Sequence, residues 1–197
     1  MIVLASASPR RAEILRAAGI DFIVQAANVP EDVAPGEDAG AYVRRVAAAK
    51  ARAVDGGGLI VVAADTTVVV DGEIMGKPED RHDAARMLRL LAGRWHEVIT
   101  GVCIRAPLAA GAEREIVDAA VTRVLFGPMT AAEIDAYAGT GEPLDKAGAY
   151  AIQGLASRHV ERIEGCYFNV VGLPVSMVWR RLRALGYQST TEPSSGS

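Results

Sequence analysis

An α/β fold is what this chain of 197 residues predicts, on three observations. Short apolar runs alternate with segments of helical periodicity, half of the residues (50%) are hydrophobic, and an Asp-Gly pair at 71–72 separates two strand-like stretches. Such alternation is the pattern of a sheet covered by helices. The length suits one α/β domain or two small lobes.

Residues 2–4 read as a strand. Ser8 is a natural N-cap and Pro9 a natural first helical residue, so a helix is predicted over 9–18, closed by Gly19. A second helix is expected over about 39–54, with Val43, Val46, Ala47, Lys50 and Val54 on one stripe. The continuous apolar run 59–64 follows three glycines and has the branching of a buried strand that stops at Asp65. Residues 67–70 and 73–75 form a hairpin around Asp71-Gly72. A helix follows over 81–91. Longer strands at 98–105 and 116–126 are joined by a polar, alanine-rich loop, and another helix covers about 130–138. The glycine-rich stretch 141–154 contains Asp145, Lys146 and Gln153, which suits a site loop better than a linker. The last helix covers 175–185. Residues 1–188 are expected to form a single domain, and the Ser/Thr-rich end 189–197 a disordered tail.

A net charge of −3 makes the chain a poor partner for a nucleic-acid polymer or an anionic membrane surface. No apolar stretch is long enough to span a bilayer, and no targeting peptide is assigned. Cys103 and Cys166 form no C-x-x-C pair, which indicates neither a zinc site nor a disulfide framework and fits a reducing cytoplasm. His82, His96 and His159 lack metal or triad spacing and are read as surface or packing residues. Trp95 and Trp179 are read as packing residues too.

Several positions carry chemistry. Around Ser8 a helix start gathers unpaired N–H groups and a positive dipole end, where phosphate can bind, and Arg10 and Arg11 add planar charged forks. The plainer reading is an exposed helix start whose arginines face water. Asp65 ends a buried strand, where α/β sheets bind ligands, with the Thr66 hydroxyl beside it; a carboxylate there can hold metal, activate water or merely close a turn. Lys50, on an apolar stripe, either snorkels to solvent or reaches a charged ligand. Lys77 lies in the restrained turn Gly76-Lys77-Pro78, and Glu31 in a loop from which a carboxylate could join Asp65 around a divalent cation. Residues 72–78 are one residue short of a P-loop and end in proline, so they are not one.

Together these positions fall in an ordered set of motifs: Ser6-Ala7-Ser8-Pro9-Arg10-Arg11, Ala64-Asp65-Thr66, Gly76-Lys77-Pro78, the stretch 141–154 with Ile152-Gln153-Gly154, and Asn169-Val170-Val171-Gly172-Leu173-Pro174. The set resembles the Maf family of nucleoside triphosphate pyrophosphatases. The resemblance implies a mixed twisted sheet with flanking helices, in two lobes around a central cleft. It also implies metal-dependent hydrolysis of a nucleoside triphosphate to monophosphate and pyrophosphate, a housecleaning activity. By the same resemblance Asp65 is the proton acceptor and, with Glu31, holds the cation, Mg²⁺ or Mn²⁺. Arg10, Thr66 and Gln153 are associated with substrate choice, and Ser8, Arg11, Lys50 and Lys77 with the phosphates. Gln153 offers both amide groups to the donor-acceptor edge of uracil or thymine, and Ile-Gln-Gly resembles the dTTP/UTP subgroup. The competing readings are a pyrophosphatase for 7-methyl-GTP or another modified nucleotide, and a nucleotide-binding regulator without catalysis. The expected partner is the nucleotide, with a homodimer left open. The chain departs from the family pattern at Pro30, Thr67, Ala151 and Cys166.

Overall fold

The computed structural model describes residues 1–108 and 112–188; the expected tail at 189–197 lies outside the described residues. The chain forms β1 (Ile2–Leu4), α1 (Pro9–Ala17), β2 (Phe22–Val24), α2 (Ala39–Arg52), β3 (Ile60–Val70), β4 (Glu73–Met75), α3 (Arg81–Leu91), β5 (Trp95–Pro107), β6 (Glu113–Phe126), α4 (Ala131–Ala138), β7 (Val160–Glu164), α5 (Tyr167–Val171) and α6 (Val175–Ala184). Three short 3₁₀ segments lie between α4 and β7. The strands make one mixed sheet of seven in the order β2-β1-β3-β5-β6-β7, with β4 on β3. This is the predicted class.

The chain divides into two compact units. One comprises Met1–Asp65, Gly101–Ala119 and the chain from Gly172 onward; the other comprises Thr66–Thr100 and Ala120–Val171. The divisions therefore fall within β3, between Asp65 and Thr66, within β5, within β6, and between Val171 and Gly172.

In the first unit β1 pairs in parallel with β2 and with β3, setting Val3 opposite Val61 and Leu4 opposite Val62. Side chains alternate across a strand, so Val3 and Ala5, like Val61 and Ala63, share one face. That face packs with Cys103 against Ala47, Ala48, Ala51 and Val54 in one apolar cluster, seven of whose nine buried members are aliphatic residues of α2 and its flank or of β1 and β3. Val43 and Val46 of α2 are fully buried and contribute roughly 1.5–3 kcal/mol each. The helix starts where Asp38 accepts a hydrogen bond from Ala41 N–H at 3.0 Å.

In the second unit β3 and β4 form the predicted hairpin, with Val68 opposite Met75, and positive φ at both Asp71 and Gly72 marks a type I′ turn. The N-cap of α3 is Asp80, whose carboxylate accepts from Asp83 N–H. Its buried face of Ala84, Ala85, Met87, Leu88 and Leu91 packs beside α4, itself closed by a Thr130/Glu133 capping box. His96, Phe126 and Tyr150 meet edge to face with ring centroids 4.7–5.3 Å apart.

Two features differ from expectation. The strand read as ending at Asp65 runs on through it to Val70, because Asp65 points its carboxylate to a cationic partner on the α2 side while its backbone stays in the ladder. The short charged strand β7 and the single-turn helix α5 were not anticipated, since Val160–Glu164 alternates weakly and Tyr167–Val171 is rich in β-branched and aromatic residues. Among the described residues no helix is long and apolar enough to cross a membrane.

Candidate functional site

The face assignment in the first unit dictates its charged centre. Asp65 follows Ala63 by two residues and so projects toward α2, where Lys50 interrupts the apolar stripe. Lys50 is 7% exposed, and its Nζ lies 2.7 Å from Asp65 Oδ1 and 2.6 Å from Glu31 Oε1. It does not snorkel to solvent. Burying an ammonium is tolerated only when it is paired, and here one cation meets two carboxylates, one buried and one half exposed. The Glu31 loop is held by side chains of α2: the Tyr42 hydroxyl donates to Glu31 O at 2.9 Å, and Arg45 Nη2 donates to Asp32 O at 2.9 Å. Burial, followed by the fields of Asp65 and Glu31, pushes the Tyr42 phenol up to about 12. A negatively charged surrounding is thus registered by a neighbouring group.

At the start of α1, Ser8 has extended backbone and its side chain makes no cap hydrogen bond, while its N–H donates to Ser6 Oγ at 3.2 Å. Arg11 does not face water. It is 8% exposed, with Nη1 donating to Ser6 Oγ at 2.9 Å and Nε to Gly172 O at 2.8 Å. Burial lowers its pKa, and the charge of Asp65 acts in the opposite sense. Arg10 is partly buried. The unit thus gathers Ser6, Arg11, Glu31, Lys50 and Asp65 into a region of alternating charge.

The second unit holds Thr66, Lys77 and Gln153. Thr66 Oγ1 lies 2.9 Å from Thr100 Oγ1, and Thr100 in turn donates to Asn169 O at 3.1 Å. Gln153 is exposed, and the backbone on either side of it is pinned by one pair of side chains, buried Tyr137 and half-buried Glu142. The Tyr137 hydroxyl accepts from Ala151 N–H at 3.2 Å and donates to Glu142 Oε1 at 2.8 Å; Glu142 also accepts from Leu155 N–H at 3.0 Å. A side chain at Gly154 would place its Cβ 2.3 Å from Glu142 Oε1, so any other residue there would push that carboxylate aside. Lys77 is exposed in the turn after β4, whose Gly76 carbonyl accepts from Gly148 N–H at 3.0 Å.

Among the described residues no three His, Cys, Asp or Glu side chains converge as a ready-made metal cage. Asp65 and Glu31 nevertheless bring two hard oxygen donors to the same Lys50 ammonium. Two carboxylates with the remaining positions left to water and phosphate oxygens is how Mg²⁺ is ordinarily held, so the donor set fits such an ion. His82 is exposed, whereas His96 and His159 are buried packing residues. Trp95 lies beneath Arg123, whose guanidinium carbon is 4.5 Å from the ring centroid. Sequence reasoning missed Tyr42, Thr100, Tyr137 and Glu142. Of these only Glu142 lay inside a segment already singled out.

The profile of the Maf-like protein family matches residues 1–185. A dTTP/UTP pyrophosphatase of Anaeromyxobacter sp. (strain Fw109-5) is 52% identical over 186 residues, covering 94% of this chain and 90% of the relative. One of Koribacter versatilis (strain Ellin345) is 51% identical over 187 residues, with 94% of each chain covered. One of Geobacter metallireducens is 52% identical over 187 residues, covering 94% and 96%. A solved nucleoside-triphosphatase / dITP/XTP pyrophosphatase of Mycobacterium abscessus aligns with a TM-score of 0.37 at 18% identity over 63% of this chain and 71% of that one.

Proposed function

Since this chain belongs to the Maf-like protein family, we propose that it hydrolyses dTTP and UTP to the nucleoside monophosphate and pyrophosphate. The named activity of relatives at 52% identity over nearly the whole chain supports this substrate class. The observation that carries the chemistry is the buried Lys50 bridging Asp65 and Glu31.

In the reaction, water adds to the α-phosphorus, the bond from that phosphorus to the bridging oxygen breaks, and pyrophosphate leaves. Asp65 takes the proton of the attacking water, a role that needs a carboxylate held in place, which Lys50 provides. Lys50, Lys77, Arg11 and the α1 start at Ser8 bind phosphate oxygens and stabilise charge that builds during displacement. Arg11, fastened to Ser6 and Gly172, loses little freedom on binding. Asp65 and Glu31 would hold a divalent cation, which would supply Lewis-acid stabilisation of the phosphate oxygens. Thr66, Gln153 and Arg10 are assigned to the nucleoside, with the Gln153 amide offering one donor and one acceptor to a pyrimidine edge.

The test incubates the purified chain with dTTP, UTP, CTP, GTP and 7-methyl-GTP in Mg²⁺ or Mn²⁺ and resolves monophosphate, diphosphate and pyrophosphate. Monophosphate and pyrophosphate from dTTP or UTP, lost in a folded Asp65→Asn variant, support the proposal. Diphosphate as product, preference for 7-methyl-GTP, or binding without turnover overturns it.

A further inference from the structure

Residues 30–36 are exposed, yet this stretch carries the Glu31 carboxylate to a lysine that is 7% exposed. A surface loop rarely holds a side chain in place by itself, and here the fastening comes from one face of α2. The loop is first closed on itself. Pro35 and Gly36 form the corners of a type II turn, with φ 72° at Gly36 and the Glu37 N–H donating to Ala34 O at 3.0 Å. The Glu37 carboxylate accepts from Ala34 N–H at 3.0 Å and from the Arg45 fork at 2.6 and 2.7 Å, which holds its carboxyl down at about 2 and so keeps it charged. Arg45 Nη2 reaches on to Asp32 O at 2.9 Å, and the Tyr42 hydroxyl to Glu31 O at 2.9 Å, so side chains one helical turn apart take two consecutive carbonyls. Tyr42 is 8% exposed, and its phenol, pushed up to about 12 chiefly by burial, remains a donor at any working pH. About two turns further along the same helix, Lys50 takes the Glu31 carboxylate. One helix thus grips Glu31 at both its backbone and its side chain.

We propose that Tyr42 is a positioning residue for the reaction: its hydroxyl, with Arg45 beside it, fastens residues 31–37 to α2 and so delivers the Glu31 carboxylate to the Lys50–Asp65 centre. Tyr42 acts through Glu31, not on the reacting atoms. Without the hydroxyl, the Glu31 carbonyl turns to water as readily as to α2, and the carboxylate divides its time between Lys50 and solvent. The inference rests on the reading that this centre is the catalytic one.

The experiment compares wild type, Tyr42→Phe, Arg45→Gln, Glu31→Ala and the Tyr42→Phe/Glu31→Ala double variant, with thermal unfolding as the check on folding. Two quantities are read. Brief treatment with acetic anhydride, without metal or nucleotide, followed by mass spectrometry of the digest gives the labelling of Lys50 relative to Lys77, an exposed lysine of the second unit. Steady-state kinetics with UTP and Mg²⁺ give kcat/KM. Tyr42→Phe is expected to raise the Lys50:Lys77 labelling ratio about threefold or more and to lower kcat/KM about fivefold, the scale of one hydrogen bond, and Arg45→Gln to move both the same way. Glu31→Ala should have effects at least as large, and adding Tyr42→Phe to it should change neither quantity further. A folded Tyr42→Phe variant with an unchanged labelling ratio overturns the proposal. Effects that multiply in the double variant do so as well, because Tyr42 then acts by a route other than Glu31. Labelling that responds while kcat/KM of the single variants stays at the wild-type value also overturns it, since the carboxylate so placed does not serve the reaction. Where wild type turns over no UTP, the proposed function fails separately, and the labelling ratios alone decide whether Tyr42 positions Glu31.

Discussion

Around Lys50 the first unit settles buried side chains with charge, whereas around Thr100 the second settles them with neutral hydrogen bonds. Around Lys50 one ammonium meets two carboxylates, and a buried guanidinium lies in the field of the same carboxylate. Around Thr66 the partners are hydroxyls, an amide and backbone carbonyls. The proposed function calls for both kinds of recognition. A triphosphate is recognised by charge, which is strong and tolerant of small displacement; a base edge is recognised by the direction of protons, which only a fixed hydrogen-bond pattern can impose.

The largest effect expected from breaking this contrast is on turnover. Asp65→Asn keeps the shape but removes the carboxylate proposed as proton acceptor, and kcat should fall about 100- to 10,000-fold. Initial rates of pyrophosphate release with UTP measure it, and a loss under tenfold in a folded variant removes Asp65 from the chemistry.

Next comes stability. Lys50→Met leaves Asp65 buried without its cation, for which loss of one partner of a buried pair typically costs about 3–5 kcal/mol. Because Glu31 is half exposed and can be rehydrated, the lower end is expected. Thr100→Val leaves a carbonyl without its donor and should cost about 1–3 kcal/mol. Urea unfolding of both variants ranks them. If the neutral network proves the more costly to break, the distinction between the units is not energetic.

How much of this was legible in the sequence follows the same division. Lys50 stood out because a lysine on an apolar helical stripe violates the pattern, and Asp65 because it interrupts a buried apolar run. Violations of periodicity are local and readable. Thr100 is a threonine in a strand, where threonine is ordinary, and its importance comes from partners 34 and 69 positions away. Tyr137 looks like a core aromatic of α4, and only the fold brings its hydroxyl to Ala151. Neutral networks satisfy every local rule, so they leave no mark on the pattern.

The second unit also predicts an acid-sensitive core. His96 is 2% exposed, and burial holds its imidazole down at about 4, the Arg94 backbone acting in the opposite sense. The unfolded chain binds a proton near pH 6.5 that the folded chain refuses until about pH 4, so stability is full above that window and falls as pH drops through it. A displacement of this size corresponds to roughly 3 kcal/mol. Denaturant unfolding of wild type and His96→Gln between pH 7 and pH 4 tests this; the variant should be weaker at pH 7 yet show a flatter slope. Parallel slopes would assign the acid sensitivity to other groups.

The smallest effect sharpens the comparison most. Glu142 is a charged residue working inside the second unit, and it holds the Gln153 stretch through Tyr137 and Leu155. Glu142→Gln retains one acceptor oxygen, enough for both bonds because Oε1 alone accepts from the Tyr137 hydroxyl and the Leu155 N–H; Glu142→Ala retains none. If the carboxylate serves by geometry, the glutamine variant should keep KM for UTP within about twofold of wild type and the alanine variant should raise it several-fold, with kcat near wild type, since each lost neutral bond is worth about 1 kcal/mol. If instead its charge matters, both variants should behave alike and the effect should shrink in high salt. Steady-state kinetics at two ionic strengths separate these outcomes. A salt-independent KM effect graded from glutamine to alanine places Glu142 with the hydrogen-bonded half of the molecule, despite its formal charge.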